Sequence, residues 1–353
     1  MIVEDVSLRD IRSYARLELT LEPGLVLVTG PNGAGKTNLL ESLHVATQGF
    51  SPRTRADAQL IRFGEHAGRI ALKGMRGRSP LAVVVALRSR EAKRVTVNGT
   101  QLRAAEQLRA EVSTLVFTPD RLAVVKGGPT VRRAYFDRVL SRLLPARATL
   151  PSDYGAAVVQ RNAALRRVAA GLSTRAAISP WTERVAALGT DLVDARLETL
   201  NLLAPELAAR AQELGLPGMR LEYAGEPPTA SGLDSRLERD LERGTTGLGP
   251  HLDDVRIQSE DRDLREFGSQ GEQRLAVLAL LVAEAAVITE RRGYAPLLLL
   301  DDVLSELDPE RRLALARQVA TRGQTLVTST TADALPIEPA QLFAVTPGEV
   351  RPG

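Results

Sequence analysis

Cysteine is absent from this chain of 353 residues, which excludes disulfides and any cysteine-ligated metal centre. Histidine is nearly absent: His44, His66 and His251 are not spaced as a metal-binding cluster. Aromatic residues make up 3% of the chain, with one tryptophan, so base stacking is not expected as the main mode of binding nucleic acid. Long hydrophobic runs are missing too. The longest apolar helix expected, near residues 275–288, has about 14 residues and contains Glu284, too short and too charged to cross a bilayer. Glu4, Asp5, Arg9 and Asp10 break up the N-terminal segment, so no secretory signal and no membrane association are expected, and the location expected is cytoplasmic. Neither a fixed-period repeat nor sustained heptads occur, which excludes a solenoid and an extended coiled coil. Even lysine is scarce, with only Lys36, Lys73, Lys93 and Lys126 among the 46 basic residues.

What is present is arginine, unevenly spread. The net charge is only +3. Yet residues 53–103 hold twelve Lys or Arg against three acids (Asp57, Glu65, Glu91), which leaves that block at +9 and the remainder at −6. Such a block favours polyphosphate partners; a solvated, arginine-rich surface is the competing explanation. With so few aromatics, DNA would be held through the phosphates of a duplex or junction, with single strands also open, and affinity would fall steeply with salt. Arg53, Arg55, Arg76 and Arg78 are the candidate DNA contacts.

The strongest pattern is Gly30-Pro31-Asn32-Gly33-Ala34-Gly35-Lys36-Thr37, a G-x-x-x-x-G-K-[ST] P-loop. It follows an apolar strand at 25–29 and leads into a helix that begins around Asn38. The three glycines allow left-handed backbone and close approach of phosphate oxygens. Amides of the loop and of the helix N-terminus then face the anion. Lys36 brings a charge to the β- and γ-phosphates and the Thr37 hydroxyl a ligand for Mg²⁺, so the expected cofactors are ATP and Mg²⁺. The run 297–300, four leucines ending in Asp301 and Asp302, suits a parallel strand buried on both faces, with its carboxylates at the end where α/β sheets bind ligands. Asp301 would hold Mg²⁺ through water, and Asp302 would orient or deprotonate the attacking water. Asp308 before Pro309 has the form of a helix N-cap followed by proline at the first position.

Alternating patterns predict an antiparallel pair at 1–8 and 16–21 and further strands at 69–73, 81–88 and 94–97, the last ending in the hairpin signal Asn98-Gly99. A helix is expected at 101–111 and a short strand at 115–117. From about residue 130 the period becomes helical, continuing through 155–170 and 181–214; the apolar stripes there read as packing core. Residues 215–232 form a Pro/Gly-rich connector. A long apolar helix at 272–291, another at 309–320 and a buried strand at 324–329 complete the chain.

One further element precedes the apolar helix. Ser269 and Glu272 are spaced as a capping box. That leaves Gly271 unexplained at the second helical position, where glycine costs roughly 1 kcal/mol against alanine but lets a phosphate approach. Ser269-Gln270-Gly271-Glu272-Gln273 resembles the signature motif of ABC-type ATPases, and residues 305–308 resemble their D-loop. The motif order is that of the ABC/SMC superfamily. Within it the chain closely resembles the RecF family of bacterial recombination mediators, over 8–14, 30–43, 49–54, 117–128, 132–137, 249–254, 269–274 and 297–308.

The resemblance implies an α/β fold: a P-loop ABC-type ATPase head, with a mixed, largely parallel sheet and an antiparallel β-subdomain, plus a helical lobe without a long coiled coil. It implies an ATPase lobe at 1–120 and 296–353 and a mainly helical lobe at 121–295. Two subunits would close head to tail on two ATPs. Ser269, Gln270, Gly271 and Glu272 of one would meet the nucleotide held by Lys36 of the other, which makes Lys36, Asp302 and Ser269 the catalytic candidates. The closed homodimer would clamp gapped or junction DNA, and weak, DNA-stimulated hydrolysis would release it. Family partners are RecR and RecO, which load RecA in recombinational repair, fork maintenance and the SOS response. The motifs by themselves also fit the nucleotide-binding subunit of a transporter. Some positions depart from the general pattern: no glutamine occurs at 116–120, where a Q-loop would be sought, though Gln48 lies after the P-loop helix. Thr328-Ser329-Thr330 stands where transporters place the switch histidine, with Thr330 or Ser329 the candidate γ-phosphate sensor. Asp302 replaces the usual glutamate, which suits slow hydrolysis. Leu252 replaces an arginine, so the 249–254 loop is assigned no chemistry.

Overall fold

A computed structural model describes residues 1–103, 105–321 and 323–353. They divide into two compact units: a P-loop unit, residues 1–121, 213–215 and 277–353, and a helical unit, residues 122–212 and 216–276.

The P-loop unit is built on two six-stranded sheets. In the first, strands Gln341–Thr346, Gly24–Thr29, Gln324–Ser329, Leu297–Leu300 and Thr114–Phe117 lie side by side and parallel; only Glu349–Pro352 is antiparallel, at one edge. Leu25 to Val28 and Leu297 to Leu300 are all buried, as the unbroken apolar runs require of strands covered on both faces. The second sheet is antiparallel throughout, in the order Tyr14–Thr20, Ile2–Ile11, Ala67–Arg76, Ser79–Arg88, Arg94–Val97, Thr100–Gln101. Its strands carry five of the twelve basic residues of the block: Arg69, Lys73, Arg76, Arg88 and Arg94. Asn98 and Gly99 form its predicted tight turn, both with left-handed backbone (φ 48° and 82°). The helix Lys36–Gln48 joins the two sheets: Leu39, Leu40, Leu43, Val45 and Ala46 share one core with side chains of both.

The helical unit contains helices Pro129–Leu143, Leu150–Ala169 and Ser179–Glu213, with a three-stranded antiparallel sheet of Arg220–Ala224, Asp254–Ser259 and Arg262–Asp263. The longest helix has 35 residues and accommodates Pro205 in its interior. Among the described residues no helix is long and apolar enough to cross a membrane.

Four expectations differ from the structure. The boundary expected at 295/296 falls at 276/277, so the helix Gln270–Arg292 begins in the helical unit and runs most of its length in the P-loop unit. The reason is its burial: every residue from Leu275 to Ile288 is inside, which places it in a core rather than on a surface lobe. The connector at 215–232 contains the strand Arg220–Ala224, whose pairing with Asp254–Ser259 overrides weak local propensity. The helix expected from residue 101 starts at Ala105, because Thr100 and Gln101 pair with Val97 and Thr96; residue 104 of that stretch lies outside the described residues. The C-terminal hairpin, turning at Gly348 (φ 81°), was not expected.

Candidate nucleotide and magnesium site

The P-loop leaves its strand at Gly30 and enters its helix at Lys36, and all three glycines adopt left-handed or otherwise positive φ: 150° at Gly30, 80° at Gly33 and 119° at Gly35. Each position has its own reason. A Cβ on Gly30 would lie 2.3 Å from the Val345 carbonyl oxygen, and one on Gly35 would lie 2.9 Å from both Ser13 Oγ and Tyr14 Oη. Gly33 has open space around it and needs glycine for its backbone alone. Tyr14 Oη donates to the Gly35 carbonyl at 3.0 Å and fixes the loop from behind. Pro31, Asn32 and Gly33 are exposed, whereas Ala34 is buried and packs in the core. Lys36 Nζ donates to the Gly30 and Pro31 carbonyls at 2.6 and 3.0 Å. Burial lowers its pKa, against the opposing pull of Asp302 and Asp301.

Across the sheet, three groups from three distant segments meet. Thr37 Oγ1 donates to Asp301 Oδ1 at 3.0 Å, and Thr328 Oγ1 donates to the same oxygen at 2.8 Å. The Asp302 amide in turn donates to Thr328 Oγ1 at 2.8 Å. Asp301 is 7% exposed and, among the described residues, has no lysine or arginine within ion-pair distance; burial pushes its carboxyl up, and the two threonine hydrogen bonds only partly counter this. A buried carboxylate beside a hydroxyl, with no cation of its own, is a donor set suited to a hard, oxygen-seeking ion. Among the described residues no group of three or more His, Asp or Glu forms a self-sufficient metal site, so an ion here would complete its shell with ligand phosphate and water. Asp302 is exposed, with an unusual non-glycine φ of 49°.

The N-terminal half of the P-loop helix carries a second cluster. Glu41 is buried and accepts from Arg12 at both carboxylate oxygens (2.8 Å each), from Ser51 Oγ at 2.5 Å and from Arg53 Nη1 at 3.3 Å. Arg53 also donates to Asn38 Oδ1 at 3.1 Å, while Asn38 Nδ2 donates to Ser13 Oγ. Beside Arg12 and Asn38 a groove of about 610 Å³ runs on to Ile61, Arg62 and Phe63, the last fully exposed.

In the helical unit, Ser269, Gln270 and Gly271 are exposed at the start of their helix. The capping box is formed: Ser269 N donates to Glu272 Oε2 at 2.7 Å and Glu272 N to Ser269 Oγ at 3.2 Å. These bonds hold the Glu272 carboxyl below its ordinary value.

The structure redistributes several candidates. Gln48 is buried and donates to the Thr47 and Val112 carbonyls. Ser329 is buried and Thr330 exposed; their neighbour Thr328 is the residue that touches both aspartates. Of the four candidate DNA arginines, Arg53 stands at the P-loop helix, Arg76 pairs with Glu111, and Arg55 and Arg78 are exposed, without an ion pair among the described residues. Thr328 and Glu41 were missed. Register could have found the first: Leu300 pairs with Val327, so Asp301 and Thr328 are neighbours.

A P-loop, a buried strand ending in paired aspartates and an antiparallel companion sheet define a nucleotide-binding head of the ABC/SMC class. The family model described as the RecF/RecN/SMC N terminal domain matches residues 2–349. The DNA replication and repair protein RecF of Heliobacterium modesticaldum is 35% identical over 346 residues, spanning 94% of this chain and 92% of that protein. A solved structure of the recombination mediator protein RecF with ATP, from the RecFOR pathway, superposes with a TM-score of 0.87 at 24% identity, covering 99% and 97% of the two chains. An Smc head bound to the C-winged helix domain of ScpA matches with a TM-score of 0.63 at 14% identity, over 100% and 97%. The chain belongs to the RecF family.

Proposed function

We propose that this protein binds MgATP through the P-loop and Asp301, closes as a homodimer around the nucleotide, and in that form holds DNA at gaps or single-strand/double-strand junctions. The observation that carries this reading is the meeting of Thr37, Asp301 and Thr328 on one carboxylate oxygen. Bound Mg²⁺ would supply charge neutralisation at the β- and γ-phosphate oxygens. The exposed amides of Asn32 and Gly33 and the helix N-terminus are free to meet phosphate oxygens, and Lys36 exchanges its loop carbonyls for them. Thr37 and Asp301 would hold the ion. Asp302 accepts the proton of the attacking water; its short reach fits a slow ATPase. The groove at Arg12, Asn38 and Phe63 has room for the nucleoside. Ser269 and Gly271, exposed at a helix start, would serve the γ-phosphate held by a second copy, so hydrolysis removes the bridge and opens the dimer. By family membership the closed form would act with RecR and RecO in loading RecA, within recombinational repair, replication-fork maintenance and SOS induction.

The test is light scattering with MgATP, MgADP and the Lys36→Arg variant, paired with binding to gapped, duplex and single-stranded DNA across a salt series. A dimer that forms with MgATP alone and tightens on gapped DNA supports the reading. An ATP-independent dimer, or equal DNA affinity with either nucleotide, sinks it.

A further inference from the structure

We propose that Glu41 is a positioning residue: from inside the P-loop helix it holds Arg53 beside the phosphate end of the nucleotide, with Arg12 as a brace, so that the pair distinguishes a triphosphate from a diphosphate. This rests on the MgATP reading above and assigns a role to Glu41 and Arg53, which that reading does not use.

One carboxylate serves two guanidinium groups, and it serves them unequally. Arg12 is fully engaged: Nε and Nη2 grip both oxygens of Glu41 and Nη1 donates to the Gln59 carbonyl at 2.7 Å. Its backbone is constrained as well, with φ 52° in the turn between two strands. Such a residue is a fixture. Arg53 is attached by Nη1 alone, at 3.1 Å to Asn38 and 3.3 Å to Glu41; its Nε and Nη2 have no partner among the described residues. Its side chain is 43% exposed, against 22% for Arg12. Arg12 already neutralises Glu41, so Arg53 contributes a surplus positive charge. That charge is placed where phosphates are expected: Asn38 follows Thr37 directly, and Asp301 feels the Arg53 cation. An arginine with one edge tethered and the other edge free is set to donate two parallel hydrogen bonds to a phosphate. Glu41 sets where that free edge can reach. Ser51, two residues before Arg53, bonds the same carboxylate and also receives the Arg53 and Thr54 amides, so the whole 51–54 turn is hung from Glu41.

The experiment is equilibrium binding of MgATP and MgADP to the full chain as wild type, Glu41→Gln, Arg53→Ala and the double variant, with the melting temperature of each recorded without nucleotide. Glu41→Gln is expected to weaken MgATP about tenfold, the scale of one charge-assisted hydrogen bond, while MgADP changes by less than about threefold. Adding Glu41→Gln to Arg53→Ala should leave the ATP/ADP ratio where Arg53→Ala alone puts it. A purely structural Glu41 would instead weaken both nucleotides alike, or keep its full effect in the Arg53→Ala background, and either result overturns the proposal. So does a pair of variants that lose DNA affinity with the ATP/ADP ratio intact, since Arg53 would then serve DNA. If Glu41→Gln does not fold, Arg53→Ala decides alone: an unchanged ratio is fatal. A wild type that fails to bind MgATP removes the underlying site, which is a separate result from normal binding with indifferent variants.

Discussion

Asp301 of the P-loop unit and the acids inside the helical unit are held in opposite ways. In the helical unit the buried Asp240 and the half-buried Asp254 and Asp137 are each matched to an arginine: Arg161 reaches Asp240 at 2.7 Å, Arg132 reaches Asp254 at 2.5 Å, and Arg196 grips both oxygens of Asp137 at 2.8 and 2.9 Å. Charge there fixes shape. In the P-loop unit Glu41 is likewise held by Arg12, but Asp301 is buried with two hydroxyl donors and, among the described residues, no ion pair. A protein that pairs buried charge so consistently in one unit and omits it at one point in the other has left that point for something that arrives with a ligand. The strength of this contrast lies in how differently the two units should respond to the same kind of substitution.

The largest effect belongs to the helical unit. Arg161 is fully buried between Asp240, Thr182 and Thr246. Asp240→Ala strands that guanidinium and should cost about 3–5 kcal/mol in denaturant unfolding, whereas Arg161→Met with Asp240→Leu should recover most of the loss. If the single variant costs under about 1 kcal/mol, comparable to an exposed pair, the pair does not fix shape and the contrast is lost.

Asp301→Asn should act the other way. Burial raises the folded carboxyl, so the folded state favours the neutral form, and stability from this group falls as pH rises past its ordinary value. The amide removes that penalty, and the nucleotide-free melting temperature should not fall. The gain in ATP affinity on adding Mg²⁺ should shrink by about tenfold or more, the scale of a charged ligand bond. A variant that melts lower yet keeps its Mg²⁺ response would make Asp301 an ordinary structural acid.

How much of this could be read from the sequence follows from distance along the chain. The P-loop, the leucine run with its aspartates and the capping box are each local patterns, and each stands in the structure where the pattern placed it. The groups that complete them are not local. Thr328 reaches Asp301 only because Gln324–Ser329 and Leu297–Leu300 pair in one register, and Glu41 meets Arg12 from 29 residues away. Gly30 looks like a loop glycine but is also required by the Val345 carbonyl, 315 positions later. The unit boundary at 276/277 was hidden because an all-apolar helix does not announce which core receives it.

Ser269 tests whether the exposed helix start is only a cap. Ser269→Ala removes one capping bond and should cost about 1 kcal/mol, while Ser269→Asp keeps an acceptor and should restore most of that stability. In the proposed dimer the aspartate would face a phosphate. ATP-dependent dimerisation should therefore fail in both variants although only one is destabilised, as read by thermal melting beside light scattering. Dimerisation that tracks stability would reduce Ser269 to its cap.

The smallest effect concerns His251, the polar hinge of the helical unit's charged interior. Tyr154 Oη lies 2.7 Å from its Nδ1 and its Nε2 lies 3.0 Å from the Thr246 carbonyl, so the neutral ring accepts from the tyrosine and donates to the carbonyl. Burial lowers its pKa below the ordinary 6.5, the Arg133 charge adding to this and Thr246, Asp253 and Asp240 opposing it. For a base with a lowered folded pKa, the unfolded chain takes up the proton first. Stability is thus intact above 6.5 and is lost as pH falls through that value toward the folded pKa. One proton is at stake, so the slope cannot exceed about 1.4 kcal/mol per pH unit. The single tryptophan, Trp181, packs on the helical unit's cluster of Ala164, Leu165 and Ile178 and reports its unfolding. Unfolding followed by its fluorescence from pH 8 to 5 should steepen below 6.5 in the wild type and flatten in His251→Asn, whose nucleotide affinity at pH 7.5 should be unchanged. Equal slopes would mean that this imidazole titrates freely and that the charged interior of the helical unit is less closed than its arginine pairs indicate.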